Sequence, residues 1–93
     1  MEYSKEKRHQ EILDSIHETY LKKNHDYGDS FHESIQEFGL ISAATRMSDK
    51  WNRFKNYVKG EKMQVSDESA IDTLLDLANY CIMTAMEIER KEE

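Results

Sequence analysis

The sequence contains no proline. Proline lacks a backbone N–H and breaks helix interiors, so its absence over 93 residues predicts long helices joined by short connections. There are three glycines, Gly28, Gly39 and Gly60, too few for a loop-rich fold. The single cysteine, Cys81, excludes an internal disulfide, and its place in an apolar run predicts a buried free thiol. No apolar run approaches the length of a membrane span, and the first ten residues, MEYSKEKRHQ, lack the hydrophobic stretch of a signal peptide. The expected location is therefore cytoplasmic, with no membrane association. Cations are the minority: 13 Lys and Arg stand against 19 Asp and Glu, for a net charge of −6. Such a chain repels phosphate backbones and anionic lipid, which argues against non-specific nucleic-acid binding. A local basic cluster or a metal still admits a small phosphate compound.

Apolar residues make up 38% and charged residues 34%, too apolar and aromatic for a disordered chain yet lean for a self-sufficient core. We expect one domain spanning 1–93. The expected fold is all-α, a small helical bundle of about four helices completed by homo-oligomerisation. The first helix is predicted from Ser4, as N-cap, to Asn24, with Ile12, Leu13, Ile16, Tyr20 and Leu21 on its apolar face. A turn-rich break, residues 25–30, precedes a short helix, Phe31 to Phe38, closed by Gly39. The third helix is predicted from Ile41 to Lys59, ending at Gly60. Its stripe of Leu40, Ala44, Met47, Trp51, Phe54 and Val58 alternates in steps of four and three and predicts helix–helix packing, with Trp51 in the core. After a second break, residues 61–67, Ser66 or Asp67 caps a last helix running to about Arg90. Its apolar face is Ile71, Leu74, Leu75, Ala78, Cys81, Ile82, Ala85 and Ile88. The terminal ERKEE is expected to fray.

Two polar groupings carry possible chemistry. Projected at about 100° per residue, Arg46, Asp49, Lys50, Arg53 and Tyr57 share the side of the third helix away from the stripe. Three cations with one carboxylate suit a phosphate, and equally suit a solvated face with i, i+4 pairs such as Asp49 with Arg53. On the fourth helix, Glu68, Asp72, Asp76 and Asn79 line one edge. Acids four apart repel, so the column needs a reason. Mg²⁺, which takes one or two carboxylates with waters and substrate phosphates, is one. The helix dipole accounts for Glu68 and Asp72 in the first turns, but Asp76 lies too far in and could instead pair with Lys50 or Arg53. A third feature, KKNHDYGDSF at 22–31, gathers Lys23, His25, Asp26 and Tyr27 around a glycine. The four histidines form no zinc signature, and there is no P-loop or GxSxG.

The string from Lys23 to Phe31, KNHDYGDSF, resembles the K-x-x-DYG-x-SF opening of the nucleotide modification associated domain 1 family. The string from Arg46 to Arg53, RMSDKWNR, resembles its R-x-x-DK-x-x-R helix. The string from Glu68 to Tyr80, ESAIDTLLDLANY, resembles its closing E-S-x-x-D-x-L-x-D-L-A-x-Y helix. The resemblance implies a phage or bacterial setting, a host cytoplasm if phage-encoded, and a link to modified nucleotides. A second likeness is to MazG-type all-α NTP pyrophosphatases, which place acids from two helices on Mg²⁺. Asp72 and Asp76 resemble the second acidic motif of those enzymes, with i, i+4 spacing in place of i, i+3. The glutamate pair of their first motif is missing.

These observations lead to one expectation and its alternatives. The chain is expected to bind a nucleotide or nucleotide-derived phosphate compound through Lys23, Asp26, Tyr27, Arg46, Asp49, Lys50 and Arg53. In an enzymatic version, Glu68, Asp72 and Asp76 hold Mg²⁺ and Asp72 and Asp76 are catalytic in phosphoanhydride hydrolysis. The alternatives are a non-catalytic module that sequesters a nucleotide signal, and a structural helical adaptor. The adaptor predicts Asp72 and Asp76 paired with Lys50 and Arg53, and no pocket. A site shared between chains is expected, since one short chain offers few walls.

Overall fold

A computed structural model describes residues 3–27, 29–60 and 67–90, with the backbone alone at Tyr27. The described residues form four helices and no strand: α1 (Lys5–Tyr27), α2 (Ser30–Phe38), α3 (Ile41–Val58) and α4 (Asp67–Arg90). Ser4 caps α1 as expected, its Oγ accepting the backbone N–H of Lys7 at 3.3 Å. The helix continues past its expected end at Asn24 and includes His25, Asp26 and Tyr27. Such residues cost only about 0.7 kcal/mol or less apiece in a helix, so turn-prone composition alone does not stop one. Gly28, Ser66 and the break at 61–66 lie outside the described residues. Gly39 ends α2 at φ +82°, ψ −175°, a backbone state that other residues rarely adopt, and its N–H donates to the Ile35 carbonyl at 2.7 Å.

The contacts set the helix directions. Tyr57 meets Asp67, Lys50 meets Asp76 and Met47 meets Cys81, so α3 and α4 run antiparallel. The Asn79 side-chain amide donates to the Ile16 carbonyl at 3.0 Å and Lys23 reaches Asp76, so α1 also runs antiparallel to α4. α2 is held to α4 by the stack of Phe31 on Tyr80, with ring centroids 5.9 Å apart, and by His32 to Glu87 at 2.6 Å. Phe31, Ile35 and Ala43 make the principal core, with Met47, Tyr80 and Met83 packed against it. Ala43 is 0% exposed, a small residue where the helices approach closely.

The orientation of the long helices departs from the sequence expectation. α3 turns Ala43, Met47, Lys50 and Phe54 inward, while Leu40, Ala44, Trp51 and Val58 are exposed. Trp51 is 50% exposed and so is not a core residue. Cys81 is likewise exposed, not buried. On α4 most of the expected apolar face looks outward: Ile71, Leu74, Cys81, Ile82, Ala85 and Ile88 are all exposed. Its inward face is mixed, with Asp76, Tyr80, Met83 and Glu87. Polar groups occupy that face because they find partners on α1, α2 and α3, whereas the aliphatic stripe finds none among the described residues. Of the end expected to fray, Glu89 and Arg90 are helical, Arg90 bonded at 3.0 Å to Asp29, and residues 91–93 lie outside the described residues. Among the described residues, no helix is long and apolar enough to cross a membrane.

Candidate functional site

The mixed face of α4 opens into a pocket of about 390 Å³ to which all four helices contribute. α1 supplies Tyr20, Lys23 and Asn24, and Asp29, Ser30 and Phe31 follow at the start of α2. α3 supplies Arg46, and α4 supplies Asp76, Asn79, Tyr80, Met83, Met86, Glu87 and Arg90. All of these lining residues belong to one chain. A neighbouring hollow of about 370 Å³ is lined by Ser42, Thr45, Arg46, Asp49, Lys50 and Tyr80. Arg46 and Tyr80 belong to both and form the wall between them.

Ion pairs organise the pocket. One oxygen of Asp76 lies 3.3 Å from the Lys50 ammonium, the other 3.9 Å from that of Lys23. Arg90 reaches Asp29 at 3.0 Å and Glu87 at 3.9 Å, closing the far end across the α1–α2 connection. Glu87 in turn faces His32, tying α2 to α4. Among the described residues Arg46 is the pocket cation with no carboxylate partner. Its guanidinium donates to the Ser34 hydroxyl at 3.4 Å and lies over the Phe31 ring, 5.4 Å from the centroid. Those contacts orient the group without neutralising it. A planar fork held against an aromatic face suits bidentate recognition of a phosphate or carboxylate.

The sequence-derived candidates divide. Lys23, Arg46 and Asp76 line the main pocket, with Lys50 at its edge through Asp76, and Asp49 lines the smaller hollow. Arg53 is exposed and pairs with Asp49 at 3.6 Å, the surface pair foreseen as the plainer reading. Asp26 is exposed beside His25, and the Tyr27 side chain lies outside the described residues. Glu68 and Asp72 are exposed on the first turns of α4 and line neither pocket. Tyr57 turns to α4 and donates its hydroxyl to Asp67. That hydrogen bond, reinforced by the carboxylate's charge and then by burial, raises the Tyr57 pKa above 10.0.

Among the described residues no three His, Cys, Asp or Glu gather to hold a divalent cation. The three carboxylates that line the pocket are each engaged: Asp76 by two ammonium groups, Asp29 by Arg90, and Glu87 by His32 and Arg90. The described arrangement of this chain does not fit Mg²⁺. The adaptor expectation is met only in the pairing of Asp76 with Lys50; Arg53 pairs elsewhere and a pocket is present.

Sequence reasoning missed Tyr20, Asp29, Phe31, Glu87 and Arg90. A signal was present on α4: Asp76, Tyr80, Met83, Glu87 and Arg90 step by four, three, four and three, as regular as the apolar stripe. Of the acid column, Asp76 and Asn79 line the pocket and Glu68 and Asp72 do not.

The fold and pocket define a small all-helical domain with a charged, aromatic-walled cleft between its helices. The chain belongs to the nucleotide modification associated domain 1 family, whose model matches residues 23–88. It has no match among curated proteins and none among solved structures.

Proposed function

We propose that the chain binds a nucleotide or nucleotide-derived phosphate compound in the pocket between its four helices, in a nucleotide-modification context. The observation that carries this reading is Arg46: a guanidinium oriented by Ser34 and Phe31, aimed between two hollows, with no carboxylate of the described chain to neutralise it. Its two donor edges take phosphate oxygens. Tyr20 and Tyr80 offer ring surface for a base, and Asn79, Asn24 and Ser30 offer neutral polar contacts for a sugar or base edge. The family description points to the same class of ligand. The acting species in this reading is a homo-oligomer, because one chain buries few side chains.

Binding without turnover is favoured over hydrolysis. A hydrolase of this type needs carboxylates free to hold Mg²⁺ and orient water, and Asp76 is instead held by Lys23 and Lys50. A non-catalytic module needs cations and aromatic faces, which the pocket has.

The test is incubation with nucleoside mono- and triphosphates and cyclic nucleotides, with and without Mg²⁺, followed by mass spectrometry of bound and free compound. The expected result is retention of intact ligand by the protein, lost in Arg46→Ala and partly kept in Arg46→Lys. Conversion of a triphosphate to monophosphate and pyrophosphate, abolished by Asp72→Ala or Asp76→Ala, establishes hydrolysis instead. Failure to retain any phosphate compound, or retention indifferent to Arg46→Ala, overturns the reading.

A further inference from the structure

The two apolar stripes left uncovered by the described residues lie on one side of the α3–α4 pair. On α3, Leu40, Ala44, Trp51 and Val58 project within about 40° of one another, about 80° round from the residues that pack on α4. On α4, Ile71, Ala78, Ile82 and Ala85 project within about 60° of one another, about 100° round from those that pack on α3. Because α3 and α4 run antiparallel, these equal senses of rotation carry both stripes to the same side of the pair. α2 and the pocket occupy the other side, with Arg46, Asp76, Tyr80 and Glu87 facing them. The hairpin of α3 and α4 is therefore a layer, polar and covered above, apolar and bare below.

We infer that the bare face of α3 and α4 is the surface on which a second copy of this chain docks, giving a back-to-back dimer with a complete pocket on each outer side. The inference rests on the self-association stated above and adds its face, its stoichiometry and the independence of the two sites. Area supports a copy as the occupant. The exposed parts of Leu40, Trp51, Val58, Ile71 and Ile82 amount to roughly 500 Å² per chain, of the order of the 800 Å² that each partner gives to a standard stable interface. The chain's own core supports it too: among the described residues, those buried are Ile16, Phe31, Ile35, Ala43 and Ala70, a small set for four helices. A face that every copy exposes from the moment it folds needs a partner present at the same concentration, and a second copy meets that condition. Charge agrees. Lys55 borders the face near the C-terminus of α3 and Glu89 near the C-terminus of α4, hence at opposite ends. A copy turned end over end sets unlike charges together at both ends, whereas the net charge of −6 disfavours an anionic lipid surface.

Sedimentation equilibrium of the full chain at about 20 µM reads the association, and variants read the face. The wild type is expected at about 22 kDa, twice its 11.0 kDa. Ile82→Asp and Trp51→Glu are expected to raise the dimer dissociation constant at least about tenfold, as charge replaces buried apolar surface. Leu21→Asp, on an exposed position of α1, is expected to leave the dimer intact. Circular dichroism of each variant separates dissociation from unfolding. If Ile82→Asp unfolds, carbodiimide cross-linking of the wild type, which joins an amine to a neighbouring carboxylate, followed by peptide mapping is expected to find Lys55 of one copy joined to Glu89 of the other. A wild type that sediments as a monomer overturns both the association and its face, leaving the face to another protein or to lipid. A dimer broken by Leu21→Asp and indifferent to Ile82→Asp overturns the face alone.

Discussion

Replacing Asp76 with asparagine keeps the side chain's shape and removes its charge, which tests what holds the pocket together. The Lys23 partner is 3.9 Å away and 61% exposed, so that pair contributes about 0–1 kcal/mol. The Lys50 partner is 3.3 Å away and only 18% exposed, so its ammonium has lost much of its water and depends on the carboxylate. A charge-assisted hydrogen bond in that setting is worth about 1.5–3 kcal/mol, part of which the asparagine carbonyl still supplies. The expected net loss is about 1–2 kcal/mol, or a fall in Tm of roughly 5–10 °C for a chain of this size. Denaturant unfolding followed by circular dichroism measures it, at one protein concentration because association shifts the midpoint. The same substitution frees two ammonium groups beside Arg46. An anion in the pocket then loses a like charge worth about 1 kcal/mol near the protein surface, so phosphate affinity rises about fivefold. Calorimetric titration with inorganic phosphate and a nucleoside monophosphate reads that change. Unchanged stability would refute the structural weight given to the Lys50 pair. Weaker phosphate binding would refute the idea that Asp76 neutralises lysines, and would place its carboxylate in contact with the ligand or with a cation.

Three further expectations follow from the geometry. Gly39→Ala meets no atom within 4 Å of the added methyl but must hold φ +82°, so we expect a loss of about 1–3 kcal/mol by denaturant unfolding with the pocket unchanged. Glu87→Gln weakens the bond that ties α2 to α4 at a side chain 10% exposed, and should cost about 1–3 kcal/mol and speed amide exchange in α2 first. The Tyr57 pKa is raised on folding, so the α3–α4 tether to Asp67 is fully present below the ordinary tyrosine value and is lost as pH rises through the folded one. Ultraviolet titration of the tyrosines should show one late-ionising group that Tyr57→Phe removes, and an early, uniform titration of all of them would contradict the contact.

Particular residues show how far the sequence could be read. Ser4 announced the start of α1 and Gly39 the end of α2, because capping is a local matter of one side chain or one φ angle. Arg46, Asp76 and Lys23 were picked out by charge and spacing and do meet in one pocket. Asp26, Arg53, Glu68 and Asp72 were picked out by the same signals and stand in solvent. Nothing local separates the two groups: Arg53 and Lys50 lie three residues apart on one helix, yet one meets Asp49 on the surface and the other Asp76 across the interface.

The sequence by itself determined that the chain is helical, where most of its helices begin and end, and which residues form apolar stripes. Those properties follow from periodicity and from backbone groups satisfied within a few residues. Tertiary structure alone decided what each stripe faces. A helical wheel reports that Trp51 and Ile82 share faces with other apolar residues, but it carries no information on whether the covering surface belongs to the same chain. In α4 the mixed face of Asp76, Tyr80, Met83 and Glu87 turns inward because Lys23, Lys50, Phe31 and His32, brought from three other helices, satisfy it. Those partners are up to 55 residues away in sequence. Burial of a charge is decided by partners, and partners at that distance exist only once the chain has folded.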